Sequence, residues 1–174
     1  MTNIVLFSDA ASYHNGKEDA IGTSCAIITN NMEEIIDTVI KGFDQKNNDF
    51  CELMGALSGL DYLYNNHKKL NVKSIEIISD AVYVIRGCNE WLYNWSTNGW
   101  IGSSGEEIKN KKLWMLTYNY INYFNNNRIP LKFTWVKGHK GKAVTKEENP
   151  VIYYQELSDT KAVEYKNKLI EHYR

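Results

Sequence analysis

The sequence is poor in proline and cysteine and contains no long hydrophobic run. Of 174 residues only two are proline and three are cysteine, at positions 25, 51 and 88. An odd number of widely spaced cysteines argues against a disulfide framework or a zinc site and is typical of a reduced, cytoplasmic protein. The apolar stretches are too short to cross a membrane. The apolar start, residues 3–8, indicates a strand rather than a signal peptide.

The sequence also lacks a Ser/Gly-rich linker and any internal repeat. Its length of 174 residues suits one compact domain, which we expect to span residues 1–174. Hydrophobic residues make up 43% and charged residues 24% of the chain, as expected of a soluble globular protein.

Acidic residues are missing from one long stretch of the chain. Residues 108–146 contain nine Lys or Arg and no Asp or Glu, although the formal net charge of the whole chain is -1. A concentrated basic segment is a typical footprint of a polyanion-binding surface. The alternative is a solvated face on which lysines happen to cluster.

Hydrophobic periodicity predicts an α/β protein. The sequence predicts strands over residues 3–8, 21–29, 33–43, 74–79 and 131–136. It predicts helices over residues 50–64, 81–95, 113–124 and from about residue 157 onward. Three strands followed by alternating helices and strands indicate a mixed sheet with helices on its faces.

Four carboxylates occupy positions that a sheet could bring together. Asp9 ends the first predicted strand and Asp80 the fourth, while Glu52 and Asp159 begin predicted helices. Carboxylates that converge in one cleft repel each other unless divalent cations neutralise them. Oxygen ligands suit Mg²⁺ or Mn²⁺, and two such ions about 4 Å apart form a clamp for phosphodiester displacement.

Each carboxylate also has a structural explanation. Asp80 could serve as a helix N-cap, and Glu52 and Asp159 could complement helix dipoles. Asp9 could shape the turn after its strand. A shared site at one sheet edge is the hypothesis that explains all four positions together.

Several motifs resemble one known family. In chain order they are "LFSDAA", "ELMGALSGLDYL", "IISDAVYVIRGCNEWLYNWSTNGW", "FTWVKGHKG" and "SDTKA". Their order and spacing resemble the type 1 ribonuclease H of bacteria and phages, a member of the ribonuclease H-like superfamily. The resemblance implies a ribonuclease H-like fold: a five-stranded mixed sheet of three antiparallel strands plus two parallel ones, flanked by helices.

The resemblance also implies catalytic and metal-binding roles. In the family's chemistry Asp9 would bridge two Mg²⁺ ions, for which Mn²⁺ is a possible substitute. Asp159 would hold the ion that activates the attacking water. Glu52 and Asp80 would hold the ion that stabilises the leaving 3′ oxygen. His139 would lie on a loop near the scissile phosphate.

The implied substrate is an RNA–DNA hybrid. The RNA strand would be hydrolysed to 5′-phosphate and 3′-hydroxyl products, since the 2′-hydroxyl distinguishes the cut strand. We expect no membrane association and no obligate protein partner, and we expect a monomer. The candidate substrate-binding residues are Asn15, Asn48, Trp91, Trp100, Lys109, Lys111, Lys112, Lys137 and Lys140.

The five tryptophans divide into two predicted groups. Trp95, Trp114 and Trp135 are expected in the hydrophobic core. Trp91 and Trp100 flank an exposed glycine-containing excursion, which resembles the basic handle by which bacterial enzymes grip the hybrid. These two side chains either support a nucleic-acid groove or serve only the fold.

Some features depart from the family pattern and leave other functions open. His139 and Asp159 are twenty residues apart, a longer spacing than the family usually shows, which predicts an enlarged loop. Gln155 stands where the family has an asparagine. One alternative is a nuclease of the same fold that cuts another nucleic acid, as junction resolvases and integrases do. The other is a catalytically weak relative that only binds nucleic acid.

Overall fold

Five strands form the central sheet of this computed structural model, which describes residues 1–138 and 141–173. The strands are β1 (Thr2–Tyr13), β2 (Ile21–Asn30), β3 (Glu34–Asp44), β4 (Val72–Ser79) and β5 (Leu131–Trp135). Their order in the sheet is β3-β2-β1-β4-β5. The first three strands pair antiparallel, and β4 and β5 add in parallel to β1. The predicted mixed sheet and fold class are therefore confirmed.

Helices cover both faces of the sheet. They are α1 (Asn48–Leu70), α2 (Val82–Arg86), α3 (Leu92–Thr97), α4 (Lys111–Asn126) and α5 (Pro150–His172). A π-helical turn over Gly87–Trp91 joins α2 to α3. Within the described ranges, no helix combines the length and the apolar character that crossing a membrane requires.

Alternation along β1 builds two separate hydrophobic cores. Leu6 faces the core formed with α1 and α4, whereas Val5 and Phe7 face the core formed with α5. Successive side chains of a strand point to opposite faces, so one strand serves both layers. Gly59 of α1 lies against the Leu6 side chain, where a Cβ atom would clash. This glycine lets α1 approach the sheet closely.

The first long helix begins slightly earlier than its periodicity indicates. Asn47 is the N-cap, and its side chain accepts a hydrogen bond from the Phe50 amide at 2.8 Å. Because α1 begins at Asn48, Glu52 lies in the second helical turn rather than in the first, where its sequence position predicted it. The helix dipole therefore stabilises the Glu52 carboxylate less than a position in the first turn predicted.

The last helix begins at Pro150, so its predicted start near residue 157 is wrong. Asn149 caps it by accepting a hydrogen bond from the Ile152 amide at 3.1 Å. The added turns are held by packing, since Tyr154 stacks on Phe7 with ring centroids 5.2 Å apart. Asp159 consequently lies in the third turn of α5 and not at its start.

One tryptophan prediction is also wrong. Trp114 is fully buried and Trp95 packs against the same core, as expected. Trp135, however, is 49% exposed. It is the last residue of β5, and β5 is an edge strand, so no further strand covers it.

Candidate active site

Asp9 and Asp80 meet at one edge of the sheet. Asp9 lies within β1, and Asp80 directly follows β4. The two strands are parallel neighbours, with Phe7 paired to Ile78, so both acids emerge at the same end. Asp9 is only 5% exposed. The residue at the N-cap of α2 is Ala81, so a capping role does not explain Asp80.

Helix α1 brings Glu52 to the same edge. Gly55, one turn after Glu52, lies so close to β1 that a Cβ atom there would be 3.2 Å from the Asp9 carbonyl oxygen. One carboxylate oxygen from each of Asp9, Glu52 and Asp80 lies within 4.8 Å of the others. Three of the four predicted acids thus form one tight cluster.

The fourth acid lies in the same cleft but outside that tight cluster. A cleft of about 300 Å³ opens over the sheet edge, and Asp159 from α5 lines it. The group of oxygens within 4.8 Å of one another does not include the Asp159 carboxylate. The polar side chains that line the cleft are Asp9, Glu52, Asp80, Lys137, Gln155, Glu156 and Asp159.

Burial and mutual repulsion raise the pKa values of the clustered acids. Burial, followed by the charge of Asp80, raises the pKa of Asp9 from 3.8 to about 8, although the Ala10 amide donates to it at 2.8 Å. Burial, followed by the charge of Asp9, raises the pKa of Glu52 well above its usual value. The pKa of Asp80 is raised by burial and then by the charge of Asp159. Such a set ionises easily only when positive charge enters the cleft.

The acids fit a divalent cation. Their donors are all carboxylate oxygens, which Mg²⁺ and Mn²⁺ prefer. Among the described residues, Glu52 Oε2 is shielded from solvent and has no hydrogen-bond partner. A buried acceptor without a partner is costly, and a cation coordinated here would satisfy it. Asp9, Glu52 and Asp80 are the residues that could hold such an ion, with Asp159 next to them.

Two residues that line the cleft were not predicted as site residues. Gln155 Nε2 donates to the Ser8 carbonyl at 3.0 Å, which ties α5 to β1 next to Asp9. Glu156 also lines the cleft. Both lie one helical turn before Asp159, at the i−4 and i−3 positions. The sequence marks Gln155 only as a departure from the family pattern, and a helix predicted to begin near residue 157 places neither residue one turn before Asp159.

The residues that directly follow β5 border the cleft. Lys137 and Gly138 line the cleft, and Lys137 is exposed. The predicted residues His139 and Lys140 lie outside the described residues.

The predicted substrate-binding asparagines contact each other. The Asn48 amide donates to Asn15 Oδ1 at 3.1 Å, and both residues are exposed. This contact joins the loop after β1 to the first turn of α1. The Asn15 side chain therefore lies beside the main chain of Asn48, near the N-terminus of the helix that carries Glu52.

Lys109, Lys111 and Lys112, at the end of the handle-like excursion, are called the handle lysines below. Two of these three lysines form ion pairs. Lys109 Nζ lies 3.0 Å from Asp49 Oδ2, and Lys111 Nζ lies 3.4 Å from Glu107 Oε2. Lys112 is exposed. Exposed pairs of this kind contribute little to stability, so their lysines can exchange partners readily.

The two tryptophans that flank the handle-like excursion are partly buried and belong to aromatic clusters. The ring centroids of Trp91 and Trp95 are 5.7 Å apart, and the Arg86 guanidinium lies 5.3 Å from the centroid of the Trp91 ring. Trp100 packs against Tyr118 at 5.8 Å. These contacts give both tryptophans a structural role in supporting the handle-like excursion, and each side chain remains partly accessible to solvent.

Comparison with known proteins identifies the family. The family model described as RNase H matches residues 1–152. The chain belongs to the ribonuclease H family. It is accordingly a ribonuclease H enzyme, as the resemblance of its motifs predicted. The matched range contains Asp9, Glu52 and Asp80 but ends before Asp159.

Curated relatives support the same assignment. The chain is 34% identical over 141 residues to the ribonuclease H of Francisella tularensis subsp. novicida, covering 80% of this chain and 82% of the relative. It is 30% identical over 138 residues to the ribonuclease HI of Haemophilus influenzae, covering 79% of each chain.

Solved structures share the fold at lower sequence identity. LC9-RNase H1, described as a type 1 RNase H with the type 2 active-site motif, is 19% identical with a TM-score of 0.72, covering 96% of this chain and 73% of that one. LC11-RNase H1, solved in complex with an RNA/DNA hybrid, is 13% identical with a TM-score of 0.55, covering 77% of this chain and 85% of that one. At these identities the likeness concerns the fold.

Proposed function

We propose that this ribonuclease H hydrolyses the RNA strand of RNA–DNA hybrids in a reaction that requires divalent cations. The observation that carries the proposal is the cluster of Asp9, Glu52 and Asp80 oxygens within 4.8 Å of one another. Family membership assigns the general activity, and LC11-RNase H1 is a relative in fold that binds an RNA/DNA hybrid. The expected products carry 5′-phosphate and 3′-hydroxyl ends.

The chain's own residues have distinct tasks in this mechanism. Asp9, Glu52 and Asp80 would hold the cations, Mg²⁺ or Mn²⁺, and Asp159 would complete the set from α5. When bound, such ions supply Lewis-acid stabilisation and activate water for in-line displacement. Burial of Asp9 keeps the carboxylates in a low-dielectric cleft, where their attraction for cations is strong.

Basic residues would position the nucleic acid over this cleft. Lys137 borders the carboxylates, and Lys109, Lys111 and Lys112 lie on or beside α4. Lysines bind backbone phosphates regardless of sequence, which suits an enzyme that reads the hybrid by shape. Asn15, Asn48, Trp91 and Trp100 are proposed to contact the substrate, and His139 and Lys140 are proposed to act from the neighbouring loop.

We further propose that the chain acts as a monomer and as a single catalytic domain, in the cytoplasm. Its three cysteines are buried free thiols, which supports a reducing compartment.

The test is a comparison of four labelled substrates in the presence of Mg²⁺. We expect cleavage of an RNA–DNA hybrid and little or no cleavage of double-stranded DNA, double-stranded RNA or a four-way junction. Adding EDTA should stop the reaction, and end-labelling should identify 5′-phosphate products. Cleavage of the junction would favour a resolvase-like enzyme instead. Binding of the hybrid without cleavage would favour the weakly catalytic alternative.

A further inference from the structure

The segment that follows β5 touches Asp80 at two places. The Trp135 indole Nε1 donates a hydrogen bond to the main-chain oxygen of Asp80 at 3.1 Å. Gly138 lies beside the carboxylate, where a Cβ atom would be 3.3 Å from Asp80 Oδ2. One contact restrains the main chain of Asp80, and the other restrains the space around its side chain.

The turn that carries Asp80 is held partly by the segment that follows β5. The Ala81 N-cap of α2 makes no side-chain capping bond. The turn is held by Ser79, whose Oγ accepts from the Ala81 amide at 3.1 Å and whose carbonyl accepts from the Val136 amide at 3.0 Å. The end of β5 therefore contributes much of what determines where Asp80 points.

Burial does not explain why tryptophan occupies position 135. The side chain is 49% exposed on an edge strand, and phenylalanine would gain from the hydrophobic effect there in the same way through its buried half. Its indole N–H, a donor with no acceptor function, is used on Asp80. The hydrogen bond is thus the specific contribution that phenylalanine at this position would lack.

Gly138 is explained by space rather than by backbone conformation. Its φ lies outside the left-handed region, so other residues could adopt this backbone. A contact of 3.3 Å is tighter than ordinary van der Waals contact, so a methyl group would push the Asp80 carboxylate by a few tenths of an ångström. Glycine at this position therefore leaves the carboxylate more room than any other residue would.

We infer that Trp135 and Gly138 are positioning residues that hold Asp80 in register with Asp9 and Glu52. The inference rests on the proposed role of the cluster as a cation site. Groups that orient metal ligands commonly affect metal affinity, because a ligand that is already in place loses less freedom on binding. The two residues act through Asp80 and need not touch the substrate.

The test uses Trp135→Phe and Gly138→Ala in the full chain. Two metal midpoints are measured. The first is the Mn²⁺ concentration that gives a fixed rise in melting temperature without nucleic acid, and the second is the Mg²⁺ concentration that half-saturates hybrid cleavage. We expect both midpoints to rise roughly three- to thirtyfold, at or below the effect usual for groups that orient metal ligands. At saturating metal, kcat should recover to within about threefold of the wild type, and KM for the hybrid should stay unchanged.

Trp114→Phe is a matched control. Trp114 also donates an indole hydrogen bond, to the Tyr83 hydroxyl at 2.8 Å, but it is fully buried in the core. Its replacement should lower the melting temperature while leaving the metal midpoints unchanged. This control separates a general decrease in stability from a specific effect on the cation site.

Two outcomes would overturn the inference. Unchanged metal midpoints in both variants would show that Asp80 needs no support from β5. A higher KM with an unchanged metal requirement in Trp135→Phe would instead assign the exposed ring to nucleic-acid contact. If Trp135→Phe does not fold, Gly138→Ala still decides, because it removes no hydrogen bond. A wild-type protein without any metal response would refute the proposed function itself, which is a distinguishable result.

Discussion

Asp9 and Asp80 bring carboxylate oxygens to within 4.8 Å of each other from two neighbouring parallel strands. Both pKa values are raised chiefly by burial, and the charge of Asp80 raises that of Asp9 further. In the metal-free protein these acids can therefore ionise together only at a cost in free energy. An arrangement of this kind persists in a protein when a cation relieves it in the working state.

Asp9→Asn should abolish cleavage without unfolding the protein. The change removes one cation ligand, so turnover should fall by more than about 10³-fold, as for residues that act as one catalytic unit. Near neutral pH the metal-free folded protein must hold Asp9 protonated, whereas the unfolded chain ionises it, and asparagine carries no such cost, so the metal-free melting temperature should rise by roughly 2–8 °C. The matched control is Glu164→Gln, an exposed acid of α5 outside the cleft, which should leave both quantities unchanged. Near-normal turnover of Asp9→Asn would contradict the site assignment.

The metal-free protein should lose stability as pH rises. Because the pKa of Asp9 is about 8 in the folded protein and 3.8 ordinarily, the folded state holds a proton that the unfolded chain releases between these values. The free energy of unfolding therefore falls across that window as pH increases. Melting curves in EDTA should show this slope, and Asp9→Asn should flatten it. Parallel pH profiles for the two proteins would contradict the raised pKa.

The two acids of α5 that line the cleft should differ in importance. Asp159→Asn should lower kcat by at least about 10²-fold if Asp159 completes the cation site. Glu156→Gln should cost less than about tenfold, since this residue adds negative charge to the cleft without an assigned ligand role. Steady-state kinetics of both variants at saturating Mg²⁺ is the measurement. The reverse order would assign the ligand role to Glu156.

The handle lysines should contribute to substrate affinity rather than to chemistry. Changing Lys109, Lys111 and Lys112 together to Gln should raise KM more than it lowers kcat. The salt dependence of hybrid binding should also weaken, because the slope of log K against log salt changes by roughly 0.7–0.9 for each phosphate that a lysine neutralises. A parallel triple change at Lys69 on α1 and at Lys166 and Lys168 on α5 removes the same net charge and serves as the control. Unchanged KM and slope would mean that the handle lysines are only a solvated face.

The sequence predicts that His139 increases kcat without being essential for cleavage. His139→Ala should keep Mg²⁺ and hybrid affinity but lower kcat by roughly 10- to 10³-fold, around or below the usual effect of one general acid–base group. The alkaline limb of the pH–rate profile should change shape, because histidine exchanges protons near neutral pH. Wild-type kcat across the profile would remove His139 from the mechanism, and total loss of activity would make it more central.

The sheet and most of the site were predictable because their signals are local. Alternating apolar residues predict the strands, and Asp9 and Asp80 can be read directly in the sequence as the acids that follow the apolar runs of β1 and β4. The order of these acids along the chain, together with the motifs around them, was enough to indicate the family and one shared cleft.

Tertiary packing decided what the periodicity could not. Helix α5 begins at Pro150 because Asn149 caps it and Tyr154 stacks on Phe7, which lies far away along the chain. The early start places Gln155 and Glu156 on the cleft wall.

Trp135 also shows the difference between what the local sequence predicts and what the tertiary structure decides. Its apolar surroundings in the sequence predicted a core residue, but the strand order places β5 at the edge of the sheet. The sequence by itself determined the family, the mixed sheet and the four carboxylates of one cleft, because residue type and spacing carry that information, whereas the structure showed which three of them lie closest together. The packing of Tyr154 on Phe7 and the contact between Trp135 and Asp80 depended on which surfaces meet after folding, and local patterns do not encode that.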